Sequence, residues 1–225
     1  MKIRKNIVGI DEANKIVFVQ KADKLTQLQY RGYTIIEVGQ LSFFLGEGVG
    51  VLVECSPPFG QGSYSTAAHC VDGGAIIYAK ANGDKLWMKR VSVLKKLSMQ
   101  PMDILCMLGI SDCTNIYDYA EIDQGNQGPK PDLILSFGNA SGNLVGFTQV
   151  PGKEGDYTGK TVRYLSYDYW IQDFVEKKTV INGQGIFYVY GPQNQIYKVK
   201  AFYSMSSTEV LAKPGYSGSN VYVVG

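Results

Sequence analysis

Three short stretches of this chain carry residues that could do chemistry together. His69, the only histidine, follows the small residues Ala67 and Ala68, Asp103 directly precedes an apolar run, and Ser217 lies in a glycine-rich turn. A serine hydroxyl is a weak nucleophile until a base removes its proton, and an acid must orient that base. We therefore predict Ser217 as nucleophile, His69 as base and Asp103 as the orienting acid.

The glycines around Ser217 have a physical role in this prediction. Gly215 lets the backbone turn so that its N–H and the N–H of Ser217 converge on a developing oxyanion. Gly218 leaves space for a substrate behind the nucleophile. We predict an oxyanion hole built from Gly215 and Ser217.

Strand-like segments must position these residues. They are short, rich in Val, Ile, Tyr and Phe, and bounded by turn residues, as in 15–20, 33–38, 50–54, 64–68, 75–79, 104–108, 133–137, 161–165, 186–190, 197–203 and 220–224. No segment keeps a clear helical period for three turns, although Trp87–Leu97 stays open between helix and strand. Many short strands predict an all-β sandwich or barrel fold.

The length and composition fit one all-β protein with two sub-barrels, or two small domains. The chain has 225 residues, of which 45% are hydrophobic and 19% charged, so a disordered chain is excluded. The most polar stretch predicts a linker at 111–131. It would separate an N-terminal unit, 1–110, with an N-terminal extension, from a C-terminal unit, 132–225.

The order of the three stretches resembles that of the chymotrypsin-like (trypsin-fold) serine endopeptidases. The segment Thr66-Ala67-Ala68-His69-Cys70, the run Asp103-Ile104-Leu105 and the turn Gly215-Tyr216-Ser217-Gly218 occur in that family's His, Asp, Ser order. The resemblance implies two antiparallel Greek-key β-barrels with the active site in the cleft between them. His69 and Asp103 would come from the first barrel and Ser217 from the second.

The turn around Ser217 looks closer to viral members of that family than to digestive ones. Digestive members carry an Asp before the nucleophile, where this chain has Tyr216. The resemblance therefore implies a protease of positive-strand RNA viruses, acting on its own polyprotein in the host-cell cytoplasm. No apolar stretch of signal-peptide length opens the sequence. Family members have more strands after the nucleophile, so we expect the second barrel to be incomplete at its C-terminus.

The same resemblance suggests residues of the substrate pocket. In the family, the residue six before the nucleophile lies at the floor of this pocket, and here it is Leu211. Thr208 is a second candidate lining residue. An apolar floor disfavours cleavage after Lys or Arg.

Several alternatives stay open beside this prediction. Asp72 and Asp84 could replace Asp103 as the acid. Cys55 and Cys70 are predicted to lie too far apart to bridge, so all four cysteines are expected to be reduced. We expect no metal site and no cofactor, because one histidine excludes multi-histidine metal sites.

Other function classes are a cellular or bacterial protease of the same fold and a non-catalytic β-barrel that binds peptide or RNA. The basic run 85–96 is interpreted as a solvated strand face rather than an RNA site, since the net charge is only +2, and weak RNA binding stays an alternative. Thr34–Val53 carries Glu37 and Glu47, which disfavours a membrane span.

Overall fold

The structure is a computed structural model of the chain that describes residues 6–43, 46–48, 51–53, 55–56, 65–71, 75–82, 85–123, 128–168, 170–171 and 173–225. It is an all-β protein, as the sequence predicts. The strands, in chain order, are β1 Ile7–Asp11, β2 Ile16–Val19, β3 Thr34–Glu37, β4 Leu41–Phe43, β5 Gly46–Gly48, β6 Val51–Val53, β7 Ser65–Thr66, β8 Ala75–Asn82, β9 Lys85–Lys96, β10 Thr114–Asn115, β11 Ala120–Ile122, β12 Leu133–Asn139, β13 Leu144–Gln149, β14 Thr161–Asp168, β15 Asp173–Val180, β16 Gly183–Tyr190, β17 Ile196–Met205 and β18 Asn220–Val223.

Helices are few and short in the described part of the chain. They are α1 Lys24–Gln29, α2 Ile104–Met107 and one 3-10 turn, Ala68–Val71. The strand predicted at 104–108 is wrong, because Asp103 caps α2 by accepting a hydrogen bond from the Cys106 N–H at 2.9 Å. Across the described residues, neither α-helix is long and apolar enough to cross a membrane.

A large sheet carries Ser217. Its strands run in the order β15-β14-β18-β12-β13-β17-β16-β1-β2-β3. The strand β4 pairs with both β12 and β16, so β12, β13, β17, β16 and β4 close into a β-barrel. Aromatic side chains fill its interior, including Phe18, Phe137, Phe187 and Tyr203.

A smaller sheet carries the segment that contains His69. Its order is β7-β11-β9-β8, and β5 and β6 form a separate pair. A buried cluster joins the small sheet to the large one, since Ala67, Tyr119 and Ile122 pack with Ile134 and Val150. The two sheets therefore meet through apolar packing beside His69.

The predicted boundaries differ in detail from these sheets. The expected linker, 111–131, contains β10, which pairs with β17 of the large sheet, and β11 of the small sheet. The predicted N-terminal extension contributes β1, β2 and β3 to the large sheet, through pairing of β1 with β16. Because this strand pairing joins residues far apart in sequence, the chain order does not reveal it.

A β-bulge in β12 lies next to Ser217. Leu135 pairs with Phe147 and Phe137 pairs with Gly146, so Ser136 is the extra residue between them. Bulges redirect a side chain or a carbonyl and often occur beside active sites. The Phe137 ring lies directly over Gly146, where a Cβ atom would overlap it.

The bulge gives the first prediction. Replacing Gly146 with Ala should destabilise the protein by about 1–3 kcal/mol, because the added methyl group displaces the Phe137 ring. The measurement is chemical denaturation of the variant and the unaltered chain. Gly155→Ala is the matched control, since its Cβ would meet nothing within 4 Å. Equal stabilities of the two variants would contradict the packing described here.

Candidate active site

His69 is held by a buried carboxylate. It lies in the 3-10 turn that follows β7, and β7 pairs with β11 so that Thr66 faces Ala120. This pairing brings Asp118, two residues before β11, against the imidazole. The Asp118 carboxylate accepts the His69 backbone N–H at 3.0 Å and lies 2.6 Å from His69 Nδ1.

The surroundings of Asp118 keep it ionised. Its full burial would raise the pKa of the carboxyl, but the charge of His69 and hydrogen bonds from His69 and Ser136 lower that pKa below its ordinary value. An ionised carboxylate only accepts hydrogen bonds, so His69 Nδ1 carries the proton. In the neutral imidazole, Nε2 is then the unprotonated nitrogen, which is the form that a general base needs.

The second ring nitrogen of His69, Nε2, has no hydrogen-bond partner among the described residues. This nitrogen is buried. A buried acceptor without a partner costs free energy. An unprotonated imidazole nitrogen in this state could accept a proton from a hydroxyl that reaches it.

Ser136 connects this pair to Ser217. The Ser136 hydroxyl donates to Asp118 Oδ2 at 2.6 Å, and the carbonyl of the same residue accepts from Ser217 Oγ at 3.0 Å. The bulge in β12 is what frees both groups of Ser136 for these contacts. The Ser217 hydroxyl therefore donates to the Ser136 carbonyl in this structure and makes no hydrogen bond to His69.

The turn around Ser217 packs against the segment that carries His69. Gly215 and Gly218 have φ angles of +95° and +85°, which favour glycine. A Cβ atom at Gly218 would come within 2.6 Å of Thr66 Oγ1. The Ser217 carbonyl also accepts the Ser56 N–H at 2.8 Å, so the turn is fixed from two sides.

A buried acid holds the other side of this turn. Asp168 accepts hydrogen bonds from the Tyr216 hydroxyl at 2.8 Å and from Lys213 Nζ at 3.1 Å. Burial would raise the pKa of Asp168, but these two hydrogen bonds and the backbone N–H groups of Trp170 and Ile171 lower it. Tyr216 thus fixes the turn by donating to an acid.

The predicted oxyanion hole has free donors. Among the described residues, neither the Gly215 N–H nor the Ser217 N–H donates a hydrogen bond, whereas the Tyr216 N–H donates to the Lys213 carbonyl. Binding of an oxyanion by the Gly215 and Ser217 N–H groups stays a prediction.

The prediction of Asp103 as the orienting acid is corrected by the structure. Its carboxylate caps α2, and the carboxylate beside His69 belongs to Asp118. Asp118 was assigned to the polar linker, although its neighbours Tyr117 and Tyr119 and the strand β11 after it signal a buried strand edge. The alternatives Asp72 and Asp84 lie outside the described residues.

The predicted pocket residues have different surroundings. Leu211 is 1% exposed within a core cluster, and its carbonyl accepts the Tyr164 hydroxyl at 2.5 Å. Thr208 is exposed, and its N–H donates to Ser206 Oγ at 3.3 Å. A role in substrate binding stays a prediction for both residues.

The expectation of reduced cysteines is wrong. Cys55 forms a disulfide with Cys70, with Cα atoms 5.9 Å apart, and Cys106 forms one with Cys113. Among the described residues, β6 pairs with β5 and β7 pairs with β11, and the 3-10 turn after β7 holds Cys70 beside Cys55. Cytoplasmic localisation stays a prediction.

Cys55, His69 and Cys70 lie close enough for their ligand atoms to share a metal ion, within 4.8 Å of one another. Both sulfurs are in the disulfide and His69 Nδ1 is hydrogen-bonded to Asp118. A cysteine ligates a metal as its thiolate, so Cys55 and Cys70 do not offer metal ligands while they form the disulfide. The same disulfide leaves Cys70 without a nucleophilic thiol.

Comparison with known proteins places the site within one family. A family model described as "Putative filamentous viruses peptidase" matches residues 28–224, which include His69, Asp118, Ser136 and Ser217. The "Uncharacterized 20.2 kDa protein" of Thermoproteus tenax virus 1 (strain KRA1) is 32% identical over 180 residues, which cover 74% of this chain and 95% of that protein. No solved structure matches the chain.

The lowered pKa of Asp118 gives the second prediction. Its carboxylate stabilises the fold above the unfolded-state pKa of about 3.9, and this contribution is lost as the pH falls through the lower folded-state pKa. Asp118→Asn should lose about 1.5–3 kcal/mol at pH 7, the range for hydrogen bonds to a charged group. Its stability should then fall less steeply than that of the unaltered chain between pH 5 and pH 2.

Urea denaturation at each pH measures both quantities. Asp103→Asn is the control, because asparagine caps a helix as well as aspartate does. If Asp118→Asn and the unaltered chain lose stability in parallel below pH 5, the carboxylate is not the buried ion described here.

Proposed function

We propose that this chain, which belongs to the filamentous virus peptidase family, is a chymotrypsin-like serine endopeptidase. Ser217 is the nucleophile, His69 the general base and Asp118 the acid that orients it. The observation that carries the proposal is the buried Asp118–His69 pair, whose carboxylate is linked to the Ser217 hydroxyl through Ser136. His69 Nε2 makes no hydrogen bond to any described residue.

The reaction begins with rotation of the Ser217 side chain away from the Ser136 carbonyl. His69 Nε2 takes the hydroxyl proton while Oγ attacks the carbonyl carbon of the scissile peptide bond. The N–H groups of Gly215 and Ser217 bind the oxyanion, and Asp118 stabilises the imidazolium.

Collapse of this intermediate breaks the carbon–nitrogen bond. The imidazolium gives its Nε2 proton to the leaving amine, and Ser217 is left as an acyl ester. A water molecule then attacks the ester while His69 takes its proton, which passes back to Ser217 Oγ as the acid product leaves. Protons and charges balance without a metal or cofactor.

The sources of the catalytic groups support the chymotrypsin-like assignment. The small sheet and its turn supply His69 and Asp118, and the large sheet supplies Ser136 and Ser217, so the site lies between two β units. Chain order is His, Asp, Ser, with Asp118 in the place predicted for Asp103. Strand β18, which follows the proposed nucleophile, pairs with β14 on one side and with β12 on the other.

The biological substrate belongs to the proposal as well. The family and the viral relative support a viral peptidase. We propose a polypeptide of the same virus, such as its own polyprotein, as substrate. RNA binding by the basic strand β9 has no support from the described residues.

The third prediction tests the nucleophile. A small fluorophosphonate should label the chain at Ser217, and Ser217→Ala should abolish both labelling and peptide cleavage, a loss of roughly 10⁴–10⁶ in turnover. Mass spectrometry of the labelled peptide locates the adduct. Ser141→Ala, at an exposed serine, should label as the unaltered chain does. An adduct elsewhere, or undiminished cleavage by Ser217→Ala, would overturn the assignment.

The fourth prediction separates the two acids. Asp118→Asn removes the charge that fixes the His69 tautomer and should lower turnover by roughly 10⁴. Asp103→Asn should leave turnover unchanged, since Asp103 contacts α2 and not the imidazole. Steady-state cleavage of a peptide substrate by the two variants is the measurement. The reverse order of effects would restore Asp103 as the acid and remove Asp118.

A further inference from the structure

Three segments lie in succession along one edge of β12. Strand β18 pairs with Leu133 and Ile134, and the turn around Ser217 contacts Leu135, whose carbonyl accepts the Gly218 N–H at 2.9 Å. Strand β4 then pairs with residues 137–139. Ser136, which holds both Asp118 and Ser217, lies between the turn and β4.

The direction of β4 is the direction a substrate would take. Leu41, Ser42 and Phe43 pair antiparallel with Asn139, Gly138 and Phe137. The chain of β4 therefore advances along β12 towards Ser136 and the nucleophile turn. A peptide whose scissile carbonyl is to reach Ser217 must pass this edge, and addition of a strand to a sheet edge is a general mode of peptide binding.

The side chain at the end of β4 covers the base. The Phe43 ring stacks on the His69 imidazole with centroids 4.4 Å apart and planes 26° apart. Phe43 is 3% exposed, His69 8% and Ser217 0%. While β4 lies in this position, a substrate peptide cannot reach His69 or Ser217.

We propose that β4 occupies the groove in which substrate binds, and that it must leave this groove before another polypeptide is cut. The inference rests on the proposed function and names its substrate class. The groove takes an extended peptide that resembles Leu41-Ser42-Phe43, with an aromatic residue stacked on His69 and an apolar residue two positions before it.

The packing of β4 indicates that the Phe43 ring holds this strand in the groove. Leu41 is fully buried in the barrel and anchors the strand, whereas Phe43 reaches from the barrel to the imidazole and also contacts Tyr197. The β4 ladder on β12 is three residues long, shorter than the ladder between β12 and β13. Loss of the Phe43 ring should therefore weaken the hold of β4 on the groove, so that β4, with Leu41, leaves it in a larger fraction of the molecules.

A binding experiment tests this without relying on catalysis. A fluorescent peptide with the sequence of residues 38–43, Val-Gly-Gln-Leu-Ser-Phe, is titrated against Ser217→Ala and against Ser217→Ala with Phe43→Ala. The doubly substituted chain should bind it about tenfold more tightly, because a groove that is open less than about a tenth of the time lowers the apparent affinity by that fraction. A peptide ending in Ala instead of Phe should lose this gain.

Matched variants separate an open groove from a damaged fold. Phe43→Tyr keeps the stacked ring and should behave as Phe43 does, and Phe174→Ala removes a phenylalanine from a different contact, with Tyr167. In the chain with Phe43 intact, excess Phe-ended peptide should displace β4 and so speed hydrogen exchange of the Leu41–Phe43 amides. This measurement uses no destabilising substitution.

The outcomes are distinct from those of the proposed function. If Ser217 is not a nucleophile, fluorophosphonate labelling fails in every variant, while the peptide still binds and displaces β4. If labelling succeeds, Phe43→Ala should raise its rate about tenfold by the same population argument. Equal binding of both peptides to both chains, with unchanged exchange of the β4 amides, would show that β4 is a fixed barrel strand and overturn the inference.

Discussion

The site depends on the contact between Asp118 and His69. A fully buried carboxylate is costly unless it is paired and hydrogen-bonded, and Asp118 meets this requirement with the ring and backbone of His69 and the hydroxyl of Ser136. These bonds fix the imidazole in one tautomer and one orientation. Because both partners are buried, the fold itself must keep them together, and the pairing of β7 with β11 does so.

Ser136 extends this contact to the second β unit. Its hydroxyl donates to Asp118 and its carbonyl accepts from Ser217, so one residue sets the distance between the two halves of the candidate site. A regular strand would pair Ser136 with β13, and the bulge over Gly146 is what releases it. The apolar cluster between the two sheets keeps His69, Asp118 and Ser136 in this arrangement. Strand β4 pairs with β12 beside Ser136, and its Phe43 ring stacks on the His69 imidazole.

The tight turn around Ser217 was predictable from its glycines, because Gly215 and Gly218 adopt positive φ angles, whereas the catalytic roles of His69 and Ser217 stay predictions. The all-β class was predictable from strand patterns. Asp118 was missed because its role depends on the pairing of β11 with β7, which brings together residues about fifty positions apart. Asp103 was misassigned because an acid before an apolar run fits both a strand edge and a helix cap. The Cys55–Cys70 disulfide and the position of β12 beside β18 also follow from long-range pairing that no local pattern encodes.

Nitrogen NMR of the imidazole tests the catalytic assignment most directly, because the chain has a single histidine and the signals need no assignment. In ¹⁵N-histidine-labelled protein, at a pH where the imidazole is neutral, Nδ1 should carry the proton and Nε2 should be unprotonated. Asp118→Asn should disturb this tautomer, and Asp103→Asn should leave both nitrogen signals unchanged. A neutral imidazole protonated at Nε2, or signals that respond to Asp103 and not to Asp118, would contradict the arrangement of His69 as a base oriented by Asp118.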